Sequence, residues 1–181
     1  MTTKDYELGE EIRVWSTYVP SEAASEVAIT LNSKWINTGK KEKELRKKFC
    51  KKFNIPFTVA CTSGTAALRS SLSVLNIGQG DEVVTTPFTF IATNTSILEQ
   101  GAKPVFADIQ YDTLNIDPKS IRKKINQKTK AIIVVHYAGN PVDMDEIKSI
   151  AKKHKVPVIE DCAHAMGSKY KNEYVGSIGD I

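Results

Sequence analysis

The sequence predicts an α/β fold, a three-layer αβα sandwich built on a mostly parallel sheet and preceded by an N-terminal helical arm. Two observations predict it. Short aliphatic runs alternate along the chain with segments of helical spacing, which is typical of βα units. In "VVHYAGN" and "VIEDCAH", polar and aromatic residues follow such a run directly. Ligands of open α/β sheets bind beyond the carboxyl ends of the strands, so these residues mark a candidate site.

Residues 1–56 are predicted to form the helical arm, and residues 57–181 the domain that contains the sheet. In "GKKEKELRKKFCKKF", Leu45, Phe49 and Phe53 recur at helical spacing and lysines fill most other positions. A basic run of this kind is either a nucleic-acid-binding patch or a solvated helix face. Two glutamates interrupt it, so we favour the solvated face and expect no nucleic-acid partner.

From residue 57 onward the predicted strands and helices alternate. Strands are expected at 57–61, 81–86, 103–109, 130–137 and 156–162, and helices at 62–77, 91–101, 117–125 and 143–154. Gly101 is a stop signal for the second of these helices. Asp117 and Pro118 are typical of an N-cap and a first helical position. The last residues, 168–181, indicate a hairpin with its turn near Asn172.

The composition excludes several classes of protein. With 41% hydrophobic and 25% charged residues, the chain has the balance of a globular protein and not of a disordered one. Its longest aliphatic run, Ala131–Val135, is too short to span a bilayer. The acidic, polar N-terminus lacks the pattern of a secretory signal, so we expect a cytoplasmic protein without a membrane partner. Cys50, Cys61 and Cys162 are too few and too widely spaced for a disulfide framework or a zinc site, and we predict no metal.

The stretch "ACTSGTAAL" places a Ser-Gly-Thr turn between a strand and a helix. A helix N-terminus presents unpaired N–H groups, and Gly64 would let the backbone approach an anion closely, while Ser63 and Thr65 could add hydroxyl donors. The pattern suits a single phosphate, but it is neither a P-loop nor a dinucleotide fingerprint. Taken alone, an ordinary Ser/Thr helix cap is the commoner explanation.

Asp161 directly follows a buried strand, where an unpaired carboxylate would be unstable. It therefore needs a partner, which could be a protonated cofactor nitrogen, a lysine or backbone amides. His164 lies close enough to share the site, yet no GxSxG elbow supports a hydrolase. Phe90 follows another strand and could stack on a flat ring or pack in the core. A phosphate turn, an aspartate and a stacking aromatic are together the supports that pyridoxal 5'-phosphate needs.

Four segments of the chain carry a family resemblance: "TSGTAAL", "EVVTTPFTFIATNTSILEQGAKPVFADI", "TKAIIVVHYAGNPVDMDEI" and "VPVIEDCAHAMGSKYKNEYVGSIGDI". From about Ile12 to its last residue the sequence resembles the DegT/StrS family of nucleotide-sugar aminotransferases. The resemblance implies the large domain of a fold-type-I enzyme with pyridoxal 5'-phosphate (PLP) as its cofactor.

Carried over by position, the resemblance assigns Gly64 and Thr65 to the phosphate-binding turn and Phe90 to stacking on the cofactor ring. It assigns Asp161 to the acid that pairs with the pyridine nitrogen, and His164 to a position that lines the cofactor beside it. These five residues are the predicted cofactor site.

The resemblance also implies a substrate and partners. Thr38 and Gly39 match a turn near the substrate pocket, and "HYAG" resembles the form found in enzymes that aminate C4 of a keto-sugar. The implied reaction moves an amino group from glutamate to a nucleoside-diphosphate-linked keto-sugar, in amino-sugar biosynthesis. The implied assembly is a homodimer whose active sites are shared between subunits.

One family feature has no match. The family's Schiff-base lysine follows the last motif of this sequence, and neither Lys169 nor Lys171 occupies its position. We therefore leave the catalytic residue unassigned and expect the 181 residues alone, as the N-terminal part of a longer enzyme, to be inactive. Two alternatives remain open: a catalytically incomplete fragment or binding module, and a PLP-dependent sugar dehydratase.

Overall fold

A computed structural model describes residues 18–181, so the first part of the predicted arm, residues 1–17, lies outside the described residues. The chain divides into two compact units, with the division between Glu44 and Leu45. The predicted arm boundary at residue 56 stays a prediction.

The described part of the first unit contains α1 (Ala23–Asn32) and the start of α2 (Lys40–Phe53). None of the α1 residues is buried. The turn between the two helices is closed locally, because the Trp35 indole Nε1–H donates to the carbonyl oxygen of Thr38 at 2.9 Å. An ion pair between Lys41 and Glu26 joins α2 to α1.

The second unit is built on four parallel strands: β1 (Glu82–Thr85), β2 (Lys103–Phe106), β3 (Thr129–Val135) and β4 (Val158–Asp161). Their order in the sheet is β2-β1-β3-β4. Helix α3 (Gly64–Val74) precedes β1, and three helices connect the strands: α4 (Ile91–Glu99), α5 (Pro118–Lys124) and α6 (Met144–His154). A short 3₁₀ turn (Tyr137–Gly139) follows β3, and the hairpin of β5 (Lys169–Tyr170) and β6 (Glu173–Tyr174) follows β4. The predicted mostly parallel α/β architecture is confirmed.

Alternate residues of β3 point into two different apolar layers, as the pleat of a strand requires. Ile132 and Val134 belong to one cluster, in which Ile147 of α6 is buried. Ile133 belongs to the other, in which Leu72 of α3 is buried. The sheet is therefore covered by helices on both faces, which explains why β3 is aliphatic at nearly every position.

The predicted helix boundaries have local causes. The Asp117 carboxylate accepts the N–H of Lys119 at 3.0 Å and Pro118 occupies the first helical turn of α5, as predicted. Gly101 follows α4 with a φ of +79°, a conformation that favours glycine. Lys171 takes a left-handed conformation in the hairpin turn, beside the predicted position near Asn172.

The strand predicted at 57–61 is wrong. These residues form no strand, and the side chains of Phe57 and Val59 are 86% and 81% exposed. A strand needs a neighbour to satisfy its backbone groups. The outer edge of β4 is already used, because the N–H of Asp180 donates to the carbonyl of Val158 and the N–H of Glu160 to that of Ile181. Within residues 18–181 no strand pairs with 57–61.

Through the described range, 18–181, the structure contains no helix with both the length and the apolar character needed to cross a bilayer.

Candidate functional site

The strands of the sheet end at one edge. Because β1, β3 and β4 are parallel, Thr85, Val135 and Asp161 share that edge, and Val135 is directly paired with Asp161. Helix α4 begins soon after β1 ends, so its N-terminus with Phe90 lies at the same edge. The sheet thus brings the ends of three strands and the start of one helix together.

Helix α3 points its N-terminus toward this edge as well. The segment between α3 and β1 lies against the C-terminal end of α4, since Gly78 is close to the Gln100 carbonyl and Gly101 to the backbone of Gln79. The C-terminal ends of α3 and α4 are therefore both at the opposite, amino edge. Gly64, the first residue of α3, lies at the end of the helix that faces the strand exits.

Asp161 is half-buried and its carboxylate is held by two donors. The Thr93 hydroxyl donates to Oδ2 at 2.9 Å, and the N–H of Ala163 donates to Oδ1 at 3.1 Å. Each carboxylate oxygen can accept a further hydrogen bond, so Asp161 is fixed in orientation and still able to bind a cationic N–H.

The start of α4 presents two different surfaces. Phe90 is the N-cap residue and its side chain is 71% exposed. Thr93, in the first turn of α4, is only 1% exposed and reaches Asp161. One short segment therefore supplies an accessible aromatic ring and a buried donor to the carboxylate.

The Ser-Gly-Thr turn caps helix α3, in agreement with the ordinary Ser/Thr helix cap that the sequence analysis considered the commoner explanation. The Ser63 side chain accepts the N–H of Ala66 at 3.1 Å. A Cβ built on Gly64 would meet nothing within 4 Å, so open space adjoins the helix end. Through 18–181, the structure gives the N–H groups of Gly64 and Thr65 no acceptor. The cap therefore leaves donors free to bind an anion.

His164 lies in the turn after β4 and is exposed. Its ring meets that of Tyr137 edge-on at a centroid distance of 5.8 Å, and Tyr137 lies 4.6 Å from the ring of Phe88. The N–H of Tyr137 donates to Asn115 Oδ1 at 3.1 Å, which fixes the turn. Sequence reasoning missed Asn115 and Thr93, because both act across elements distant in sequence.

Thr38 and Gly39 belong to the first unit. They line a cavity of about 540 Å³ together with Trp35 and Lys41. A Cβ on Gly39 would come within 2.7 Å of the Trp35 ring, so the turn packs tightly on the indole. Their predicted substrate role stays a prediction.

His136 and Glu160 do not belong to the exposed part of the edge. His136 Nδ1 accepts the N–H of Val142 at 3.1 Å, so Nε2 carries a proton and donates it to Glu160 Oε2 at 2.9 Å. The N–H groups of Gly176, Ile178 and Gly179 also donate to Glu160. Burial opposes the charge of Glu160, but these hydrogen bonds outweigh it and hold its pKa below the ordinary value.

The ligand atoms of His136, Glu160 and Cys162 lie within 4.8 Å of one another, a spacing that a metal ion could bridge. Their chemistry does not fit one. Both ring nitrogens of His136 are already hydrogen-bonded. Burial, with Glu160 and Asp161 adding repulsion, raises the pKa of the Cys162 thiol to about 12, so it is protonated at neutral pH. We assign this cluster a structural role.

The sequence matches the DegT/DnrJ/EryC1/StrS aminotransferase family over residues 18–181. The chain belongs to this aminotransferase family.

Three similar proteins show how much of this chain, and how much of each relative, the similarity covers. The Methanocaldococcus jannaschii protein MJ1066, named as uncharacterized, is 47% identical over 162 residues, which are 90% of this chain and 42% of that protein. An aminotransferase from Psychrobacter cryohalolentis is 42% identical with a TM-score of 0.87, covering 93% of this chain and 43% of that one. Spr1654 of Streptococcus pneumoniae, in a PLP form, is 37% identical with a TM-score of 0.87, covering 90% and 45%. The chain spans less than half the length of each.

The two lysines nearest the last family motif are engaged elsewhere. Lys171 pairs with Asp145 of α6, and Lys169 Nζ lies over the Tyr174 ring, 4.6 Å from its centroid. Both belong to the hairpin or its turn. Neither is assigned to the chemistry of this aminotransferase family member.

Proposed function

We propose that the full-length protein is a PLP-dependent aminotransferase that transfers an amino group from glutamate to C4 of a nucleoside-diphosphate-linked keto-sugar. Membership of the aminotransferase family supports the reaction class. The name of Spr1654, which describes a sugar aminotransferase, supports a sugar substrate. The "HYAG" stretch at residues 136–139 is the feature that favours C4.

The orientation of Asp161 is the observation that carries the proposal. When bound, PLP would supply an electron sink for the negative charge that develops at the substrate carbon. The Asp161 carboxylate, fixed by Thr93 and Ala163, would hold the proton at the ring nitrogen by accepting its N–H. A carboxylate of fixed orientation at a strand end fits this task, since a hydrogen bond accepted from the ring N–H favours the protonated ring.

The other predicted residues would bind and orient the cofactor. The free N–H groups of Gly64 and Thr65 suit the phosphate, because the positive end of α3 attracts an anion. The exposed Phe90 ring would cover one face of the cofactor ring, and His164 would lie beside it. In this proposal these residues exclude water from the ring and set its angle, and no residue of this chain is assigned to covalent attachment.

We further propose that the protein works as a homodimer with shared active sites, and that Thr38 and Gly39 contact substrate. Large apolar side chains are exposed on the described part of the first unit, including Tyr18, Trp35 and Ile36. Such a surface fits a protein–protein interface. Light scattering of the full-length protein would reveal the dimer, and a monomer that is active would contradict it.

The test of the function is a product assay with the full-length protein, PLP, glutamate and a panel of nucleotide-linked sugars with the keto group at C3 or C4. We expect amination of the C4 panel, detected by mass spectrometry together with 2-oxoglutarate release. Alanine and glutamine serve as alternative donors. Amination of only the C3 compounds would overturn the ring position, and no amination of any compound would overturn the function.

A further inference from the structure

Three side chains at the edge of the sheet form a directed chain of hydrogen bonds. The Thr93 hydroxyl lies 2.9 Å from Asp161 Oδ2 and 3.0 Å from the Thr89 hydroxyl. Thr93 has a single hydroxyl proton, and it is given to the carboxylate. Thr89 must therefore be the donor to Thr93, and the chain runs from Thr89 through Thr93 to Asp161.

We propose that Thr93, held in turn by Thr89, is the positioning residue that keeps the Asp161 carboxylate aimed at the cofactor's ring nitrogen. The inference rests on the proposed function, because it assigns a role toward PLP. Thr93 does not contact the cofactor in this proposal and acts only through Asp161.

The direction of the chain is what gives Thr93 this role. The Thr93 hydroxyl fixes Oδ2 and the N–H of Ala163 fixes Oδ1, so the two donors together set the orientation of the carboxylate. A carboxylate held at both oxygens presents its remaining lone pairs in a fixed direction.

Because Thr93 is buried, water cannot easily replace its hydroxyl as a donor to the Asp161 carboxylate. The Thr93 side chain is 1% exposed, so water has no open access to Oδ2 from that side. A valine at this position keeps the volume and removes the donor, which leaves a carboxylate oxygen short of one hydrogen bond. Hydrogen bonds to charged groups contribute about tenfold or more to an equilibrium.

The same segment couples two parts of the site. Phe90, which we assign to the cofactor face, lies between Thr89 and Thr93 in sequence. Fixing both threonines to Asp161 also fixes the backbone that carries the ring. The spacing of four residues between Thr89 and Thr93 brings their hydroxyls together at the start of α4.

The experiment measures the dissociation constants of PLP and of an analogue with carbon in place of the ring nitrogen, by equilibrium dialysis of the full-length protein. Thr93→Val should weaken PLP binding about tenfold, the effect of one lost hydrogen bond to a charged group, and leave analogue binding within about twofold. Thr93→Ser, which restores the donor, should recover PLP binding. Thr95→Val is the matched control, because among residues 18–181 the Thr95 hydroxyl bonds only to the carbonyl groups of Ile91 and Ala92 in α4.

Equal weakening of PLP and analogue binding in Thr93→Val, or no rescue by serine, would reduce Thr93 to a packing residue and overturn the inference. Unchanged PLP binding would overturn it too. Should Thr93→Val fail to fold, Thr89→Val provides the measurement, with a smaller loss of about threefold that is again confined to PLP. If Thr89→Val weakens PLP and analogue binding equally, or weakens neither, the inference is likewise overturned.

Asp161→Asn separates this inference from the proposed function. If Asp161→Asn binds PLP as the natural protein does, the cofactor assignment itself fails. If Asp161→Asn loses PLP affinity while Thr93→Val keeps it, only the role of Thr93 fails. Loss in both, with the analogue unaffected by Thr93→Val, supports both proposals.

Discussion

His136 and Glu160 form a fully buried hydrogen-bonded pair, with 2.9 Å between Nε2 and Oε2 and no exposure of either side chain. The pair joins the end of β3 to β4. Through the N–H groups of Gly176, Ile178 and Gly179, Glu160 also attaches the segment that follows the hairpin to the sheet. His136, one of the polar residues that follow an aliphatic run in "VVHYAGN", is therefore an anchor of the fold.

Replacing Glu160 with glutamine should destabilise the protein. The amide offers one acceptor oxygen where four donors converge, and its NH₂ group would face backbone N–H groups. We expect a loss of about 3 kcal/mol in the free energy of unfolding, the upper end of what a hydrogen bond to a buried charged group contributes. Urea denaturation at pH 7 measures it, with the exposed Glu173→Gln as control. A loss no larger than that of the control would contradict the anchor role.

The contribution of Glu160 should depend on pH in a defined direction. Its folded-state pKa lies below the ordinary 4.5, so its stabilisation is complete above that value and is lost as the pH falls through the folded pKa. The stability difference between the natural protein and Glu160→Gln should therefore shrink below about pH 4.5 and stay constant from pH 6 to 8. A difference that instead grows on acidification would contradict the assignment.

Gly179→Ala should destabilise the fold where Gly78→Ala does not. A Cβ on Gly179 would come within 2.9 Å of the Val158 carbonyl oxygen and 3.1 Å of Glu160 Cγ, and backbone cannot easily move away. On Gly78 the nearest atom would be 3.9 Å away, an ordinary contact. We expect a loss of about 2 kcal/mol for the first change, typical of overpacking, and little change for the second. Thermal unfolding compares the two.

Gly64→Ala should separate folding from binding. Nothing lies within 4 Å of the new methyl group, so the melting temperature should stay the same or rise slightly. The methyl group would occupy the space through which a phosphate approaches the helix end. We expect PLP affinity to fall about tenfold, equivalent to one hydrogen bond to an anion. Equilibrium dialysis measures the affinity, and unaltered binding would remove Gly64 from the phosphate site.

Asp161→Asn should impair turnover in the full-length protein. The amide cannot hold a proton on the ring nitrogen by charge, and the loss of a charge-assisted hydrogen bond corresponds to about a hundredfold in kcat. Asp112→Asn makes the same charge change at an exposed position and should leave kcat unchanged. Product formation is followed by mass spectrometry. A kcat for Asp161→Asn within threefold of the natural value would be incompatible with the proposed role.

Local signals in the sequence predicted most of the fold correctly. The aliphatic run that became β3 and the Asp117–Pro118 cap are encoded by neighbouring residues, and the structure has both. The strand predicted at 57–61 failed because strand formation depends on a partner, which no local pattern reveals. Phe57 and Val59 are apolar residues with high strand propensity, but both lie exposed.

The candidate site was only partly predictable for a similar reason. Asp161 is recognisable as a candidate because it follows a buried strand, and Phe90 because it is an aromatic residue that follows a different strand. The role of Thr93 depends on how α4 lies against β4, a distance of 68 residues along the chain. The role of Glu160 depends on backbone N–H groups of a later segment, and a backbone donor leaves no mark in the sequence.

Glu160 and Asp161 are adjacent in β4 and project to opposite faces of the sheet. Two neighbouring acids thus have separate tasks, one buried with the hairpin segment and one open to a ligand. Because of this separation, ligand binding could be engineered independently of fold stability. Substitutions at position 161 would change the electronic properties of a bound ring without destabilising the fold. Substitutions at position 160 would destabilise it.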